Sequence, residues 1–334
     1  MGAFLSRTTG EFHMQAYLDI LKDIHTNCTD VRNNRTGIPE IGLGHGATFV
    51  HDMSMGFPLV TTKKMGLKNI ATELEFFLHG ITDKQWLRDR KCKIWNEWAN
   101  PVKVEQTYKI KSGLLEQGGP LTDQQKLILR NSIMDNERDL GPIYGFQWRH
   151  FGGEYQWDKS RIEKDPTDNF NPQKPGIDQV QVAIDKLKNN PNDRRILVSA
   201  WNPTDFPQMA LPPCHMMHQL IVRDGKLSLI WTQRSCDMFL GVPYNIASYA
   251  LLLLLYAKEA GLTPHILKGE LHDAHIYTNH LPQVAEQLTR TPHKLPTVEI
   301  PDTNWHGMLN WHADGGFILK DYICHDALRG AVAR

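Results

Sequence analysis

Cysteine is sparse in this 334-residue sequence: Cys28, Cys92, Cys214, Cys236 and Cys324 are widely scattered, with no CxxC pair. An odd, dispersed set argues against a disulfide framework and a zinc site, and suits a reducing compartment. No metal is expected. Charge of one sign is missing too, because 37 basic side chains balance 37 acidic ones. Without a net field there is no general grip on a polyanion, so nucleic acid is not an expected partner. Any phosphate must be held by a few placed arginines. Long apolar runs are absent: the longest, Ala250 to Ala257, is under half a membrane span. Met1 to Glu11 shows no apolar core before a cleavage site. The expectation is a soluble, cytoplasmic protein with no membrane partner.

What is present is ordinary globular composition, 41% hydrophobic and 22% charged, which excludes wholesale disorder, collagen and coiled coil. The length allows one large domain or two ordinary ones. His13 to His25 reads as an amphipathic helix and Lys68 to Leu78 as another, carrying Glu73 and Glu75 inward or nearly so. Gly56 to Thr62 reads as a loop entering a strand. Pro101 to Arg138 and Asp158 to Gly176 are polar, proline- or glycine-bearing stretches read as surface insertions within a single domain spanning 1–334. Ile177 to Lys188 is helical, and strands follow at Arg195 to Ala200, His218 to Val222 and Leu227 to Trp231. Asp224-Gly225 between the last two marks a hairpin. A long apolar helix runs from about Tyr244 to Ala260. Mixed strands and helices without a βαβ rhythm indicate an α+β protein built on a sheet.

Chemistry concentrates at Leu211-Pro212-Pro213-Cys214-His215. Two prolines stiffen the backbone before a cysteine, which suits a nucleophile; a buried structural cysteine is the bland alternative. Neighbours on a strand face opposite ways, so Cys214 and His215 make a poor nucleophile–base dyad. A cysteine hydrolase stays open only if another His shares the Cys214 face. Arg194-Arg195 opens one strand and Gln233-Arg234-Ser235 follows another, and guanidinium forks beside a hydroxyl suit phosphate. Asn245, in the Gly241 to Asn245 turn, offers both a donor and an acceptor to a base edge, or is a plain N-cap. His275 and Tyr277 alternate onto one strand face.

Read together, Arg194 to Pro203, Leu211 to His215, Gln233 to Asp237, Asn245 to Ala250 and His275-Ile276-Tyr277 resemble the thymidylate synthase family. So do Gly56 to Lys63, Ile94 to Trp98 and Leu140 to Gly145. The similarity runs from about His13 to the C-terminus, outside the two insertions. It implies a thymidylate-synthase-like α+β fold with a large mixed sheet flanked by helices and packed at a homodimer interface. It also implies one-carbon transfer from 5,10-methylenetetrahydrofolate to C5 of dUMP. Cys214 would add to C6, with Glu73, Tyr144 and Asn245 as the other catalytic residues. Arg35, Arg194, Arg195, Gln233, Arg234, Ser235, Asp237, His275 and Tyr277 would bind the nucleotide, Arg194 and Arg195 by reaching the partner's phosphate site. Trp95, Trp98, Asp237, Gly241 and Tyr244 would line the folate pocket.

Departures from the family pattern raise the question of how the reaction ends. Arg35-Thr36-Gly37 is followed by Ile38-Pro39-Glu40, Glu73 is followed by a second acid at Glu75, Tyr244 brings a hydroxyl, His272 replaces a glycine, and the tail ends in Arg334. A more polar pocket under a less apolar lid favours water over hydride. The expectation is therefore a phage-type dUMP hydroxymethylase making a modified DNA precursor in the host cytoplasm, with thymidylate synthase proper as the alternative. A catalytically idle nucleotide- or RNA-binding relative is a third reading.

Overall fold

The computed structural model describes residues 14–32 and 37–332. Helix α1 (Gln15–Asn27) buries Tyr17, Leu18, Leu21 and Ile24 along one stripe, as its spacing predicts. Strands β1 (Glu40–Leu43) and β2 (Ala47–Asp52) follow, then helices α2 (Leu67–Leu78) and α3 (Lys84–Asp89). The first insertion folds into α4 (Pro101–Leu115) and α5 (Asp123–Asn136). Asn100 caps α4 ahead of Pro101, and Thr122 with Gln125 forms a capping box on α5. The pair buries little beyond Ala99, Val104 and Ile133.

After α6 (Tyr144–His150), the second insertion contains only the short α7 (Lys159–Ile162). It is tied back to the body by Asn169, whose Nδ2 donates to the Gly80 carbonyl at 2.7 Å. Helix α8 (Gln179–Asn189) leads to β3 (Leu197–Ser199), β4 (His215–Arg223) and β5 (Lys226–Asp237). The β4–β5 hairpin turns at Asp224 and Gly225, both at positive φ (51° and 72°), the geometry of a type I′ turn. Helix α9 (Gly241–Ala260) then crosses to β6 (Thr263–Tyr277), and α10 (Leu281–Thr289), β7 (Thr297–Glu299) and β8 (Ile318–Lys320) complete the chain.

Six strands form one mixed sheet in the order β1-β6-β5-β4-β3, with β2 also on β6. All pairings are antiparallel except β5 with β6. The expectation of no βαβ unit is therefore corrected at one place, because α9 is a crossover between parallel strands. Its periodicity was masked by being apolar all round: it is buried on every side, between sheet, α2 and α8. The stretch 56–66 also differs from expectation, since it stays irregular and never enters a strand. Its buried main chain is satisfied from the C-terminal segment instead, by His325 N donating to Thr61 O (2.8 Å) and Arg290 Nη1 donating to Thr62 O (2.9 Å). Among the described residues, no helix is long and apolar enough to cross a membrane.

Gly269 is the tightest point of the sheet's interior. It pairs with Phe49 on β2 and Trp231 on β5. The Trp231 indole lies across it and stacks on Tyr249 of α9, with centroids 5.1 Å apart and planes 8° from parallel. A Cβ at 269 would sit 2.4 Å from the Trp231 ring. Gly269→Ala must push that stack aside and should cost about 2 kcal/mol, read as a lower urea midpoint at unchanged m-value. An unchanged midpoint would show that the indole has room to move.

Candidate active site

The strand ends of β5 and β6, the start of α9, α2 and the segment before β4 converge on a cleft of about 280 Å³. Most residues singled out from sequence meet there: Glu73, Trp95, Trp98, Tyr144, Cys214, Gln233, Arg234, Ser235, Asp237, Gly241, Asn245, His275 and Tyr277 all line it.

Cys214 sits just before β4 on a main chain held from both sides. Its N–H donates to the Tyr144 hydroxyl at 2.6 Å, and its carbonyl accepts from Arg234 N at 2.8 Å. The Arg234 guanidinium donates to the carbonyls of Pro213 (3.0 Å) and Pro212 (2.9 Å). One cation thus grips the stiff turn ahead of the cysteine while standing in the same cleft. His215 is not its base. The ring is hydrogen-bonded to the Tyr249 hydroxyl at 2.9 Å and stacked on Tyr144 at 4.2 Å, and burial drives its pKa down to about 3. A neutral imidazole committed to Tyr249 agrees with the strand-alternation argument against a Cys214–His215 dyad.

Asn245 falls within the first turn and a half of α9 rather than at its cap, which corrects the N-cap alternative. Its amide is oriented by a directed chain. The Trp231 indole can only donate, and its Nε1 donates to Gln233 Oε1 at 3.1 Å. Gln233 Nε2, which also donates to the Ser235 carbonyl at 3.0 Å, is thereby turned to donate to Asn245 Oδ1 at 3.0 Å. Asn245 is left presenting its NH₂ to the cleft, with a remaining lone pair on Oδ1 beside it. His275, almost fully buried, and Tyr277 meet at a 5.0 Å ring distance, and the His275 Nδ1 is 2.9 Å from the Asp273 carbonyl. Asp237 Oδ1 accepts from Phe239 N and Leu240 N, fixing the chain where α9 begins.

Glu73 brings a buried carboxyl to the cleft, which it shares with Asp237. Burial pushes its carboxyl up to about 7, against a lowering bond from Trp95 Nε1 at 2.8 Å. Glu75 is not its companion. Two residues along a helix are about 200° apart, so Glu75 leaves α2 on the opposite side. Its Oε1 bonds His312 Nδ1 at 2.8 Å and its Oε2 accepts from Ala313 N at 2.9 Å. Tyr244 is likewise absent from the lining, its hydroxyl lying beside Gly66.

Arg194 and Arg195 do not reach this chain's cleft. Both are exposed at the head of β3, and Arg195 pairs with Asp193. Arg35 and Arg334 lie outside the described residues. Phe77, Ile94, Leu211 and Val332 line the cleft without having been singled out as site residues. Phe77 was legible, one helical turn after Glu73; Val332 was not, because its place depends on the tail's route. That route is fixed by His280 Nε2 against Ala331 O (2.8 Å) and Gln283 Nε2 donating to Arg329 O (3.1 Å).

Residues 15–334 match the family model described as thymidylate synthase. A thymidylate synthase of Listeria monocytogenes serotype 4a is 42% identical over 305 residues, covering 86% of this chain and 90% of the relative. One from Listeria innocua is also 42% identical, with the same coverage. A bifunctional dihydrofolate reductase-thymidylate synthase of Paramecium tetraurelia is 40% identical over 323 residues, 97% of this chain and 62% of the relative.

The raised Glu73 pKa has a stability signature. The native state holds an extra proton between 4.5 and about 7, so the wild type loses stability as pH rises through that window and levels off above it. Glu73→Gln keeps an acceptor for Trp95 and titrates nowhere. Its stability relative to wild type should grow by at most about 3 kcal/mol between pH 4.5 and 8, measured by urea unfolding at each pH. A gap constant with pH would refute the shift.

Proposed function

The chain belongs to the thymidylate synthase family, and from that premise we propose that it is completed by hydride transfer, converting dUMP to dTMP with release of dihydrofolate. It is a one-carbon transferase using 5,10-methylenetetrahydrofolate. The observation that carries the hydride reading is the location of two of the departures that had suggested water addition, Glu75 and Tyr244. Glu75 faces away from the cleft, Tyr244 does not line it, and among the described residues the tail contributes the apolar Val332. The cleft is therefore no more polar or open at these positions than a hydride-transferring site requires. Relatives named thymidylate synthase, bacterial and ciliate, support the same reading. Nothing among them supports a phage hydroxymethylase.

In this reading the Cys214 thiolate attacks C6, favoured by the Arg234 charge beside it. Asn245 donates to O4 and accepts from N3–H of uracil, a pattern that cytosine reverses. Arg234 and Ser235 take the phosphate, while His275 and Tyr277 hold the ribose hydroxyl. Glu73, poised near neutrality, moves protons to and from O4, with Tyr144 close to the carbon that loses one. The folate supplies the carbon unit and the hydride. Trp95 and Trp98, edge to face at 6.0 Å, and the Asp237 carboxylate fit a flat pterin with a hydrogen-bonding edge. Arg194 and Arg195, exposed and outside their own cleft, suit a homodimer in which each chain completes its partner's phosphate site. The chain acts as a single catalytic domain, with both insertions peripheral to the cleft.

The test is the mass of the nucleotide formed from dUMP and methylenetetrahydrofolate. The expected product is heavier by one methylene, with an absorbance rise from dihydrofolate, and Cys214→Ser lowers turnover by at least about 1,000-fold. A product carrying a further oxygen, without dihydrofolate, would overturn the proposal in favour of hydroxymethylation.

A further inference from the structure

The far face of α2 carries a second constellation. Glu75 and His79 stand four residues apart at the helix's C-terminal end, and His312 arrives from the segment between α10 and the tail. One ligand atom from each lies within 4.8 Å of the others. The His79 and His312 rings meet edge to face at 5.2 Å. Clefts on either side share His312 in their walls, one lined also by Glu75 and the other by His79, so the cluster is reached from solvent. None of the three lines the nucleotide cleft.

From this geometry we infer that Glu75, His79 and His312 form a three-ligand site for a divalent cation of the zinc class, with a fourth position open to water. Two imidazoles and one carboxylate are the donor set that Zn²⁺ and its neighbours prefer over Mg²⁺ or Ca²⁺, which take oxygen. The His79 Nε2 is buried without a hydrogen-bond partner. The Trp311 main chain stands in hydrogen-bonding position against the same ring. A proton on Nδ1 directed to that carbonyl leaves the Nε2 lone pair unengaged for a metal, the usual support for a metal-bound histidine. Glu75 is braced in the same way, because its Oε2 accepts from Ala313 N while Oε1 faces His312. The one ligand with freedom is His312, whose side chain is 65% exposed. Bond lengths of about 2 Å require the three atoms to close by roughly an ångström, and His312 is free to swing in. Arg149, whose charge acts on His79, is neutralised by Asp178 at 2.9 Å and spends Nη1 on the Leu78 carbonyl. A bound ion joins α2 to the segment carrying Trp311 and so braces the helix that holds Glu73 from behind.

Titration of the metal-free protein with Zn²⁺ against a chromogenic chelator tests the site. One equivalent per chain is expected. His312→Ala and Glu75→Gln should each weaken it by about 100-fold, at or beyond the upper end of the range for supporting residues. Gln at 75 keeps an acceptor for Ala313 N, and His312 is exposed, so both variants should give the wild-type circular dichroism spectrum. With Co²⁺ the complex should show weak visible bands and no thiolate charge-transfer band, which separates this site from Cys214. Absence of a bound equivalent, wild-type affinity in either variant, or a thiolate band would overturn the assignment.

Discussion

The parallel pairing of β5 with β6 is the constraint on which the site depends. Both strands run out at the same edge, so Gln233 to Asp237 and His275 to Tyr277 emerge together, and α9 must begin there to make the crossover. Parallel strands need such a helix, and the loop end of the crossover is where ligands collect. Asn245 enters the cleft because it lies near the start of that helix. Gly269 and Trp231 secure the pairing from inside: the missing side chain on β6 gives the indole its seat, and the seated indole aims its N–H at Gln233. Packing in the sheet is thus converted into the orientation of an amide in the cleft.

Helix α2 shows how a single element serves two places. Glu73 and Phe77 share the face toward the cleft, one turn apart, while Glu75 and His79 share the opposite face. The two acids live in different surroundings. Glu73 is buried with one indole donor and is pushed toward neutrality, whereas Glu75 receives a main-chain N–H and an imidazole.

Where the chain carried chemistry in contiguous segments, the sequence was informative. Leu211 to His215 and Gln233 to Asp237 lie at strand ends, and neighbours in sequence remain neighbours in the cleft. The hairpin at Asp224-Gly225 was legible because only a few residues tolerate both positive φ values. What was not legible depended on long-range geometry. Glu75 was read as a partner of Glu73 by proximity along the chain, although helical rotation separates them. Tyr244 was read into the folate pocket, and its hydroxyl lies beside Gly66 rather than in the cleft wall. The apolar run of α9 hid the one crossover, and the irregular stretch 56–66 took its hydrogen bonds from residues more than two hundred positions away. The tail contributes Val332 only through contacts with 280 and 283.

The central claim is that the Trp231–Gln233–Asn245 chain points the Asn245 amide so that it reads uracil and not cytosine. Trp231→Phe keeps an aromatic ring over Gly269 and deletes the indole donor, leaving the Gln233 amide oriented only through Nε2, which donates to the Ser235 carbonyl at 3.0 Å and to Asn245. The ratio of kcat/KM for dUMP to that for dCMP, measured in this variant, tests the claim most directly. Losing one hydrogen bond of about 1 kcal/mol predicts a ratio lowered by about fivefold in a protein that still folds. An unchanged ratio in a folded variant would contradict the account, because the Ser235 carbonyl and not the indole would then set the Gln233 amide.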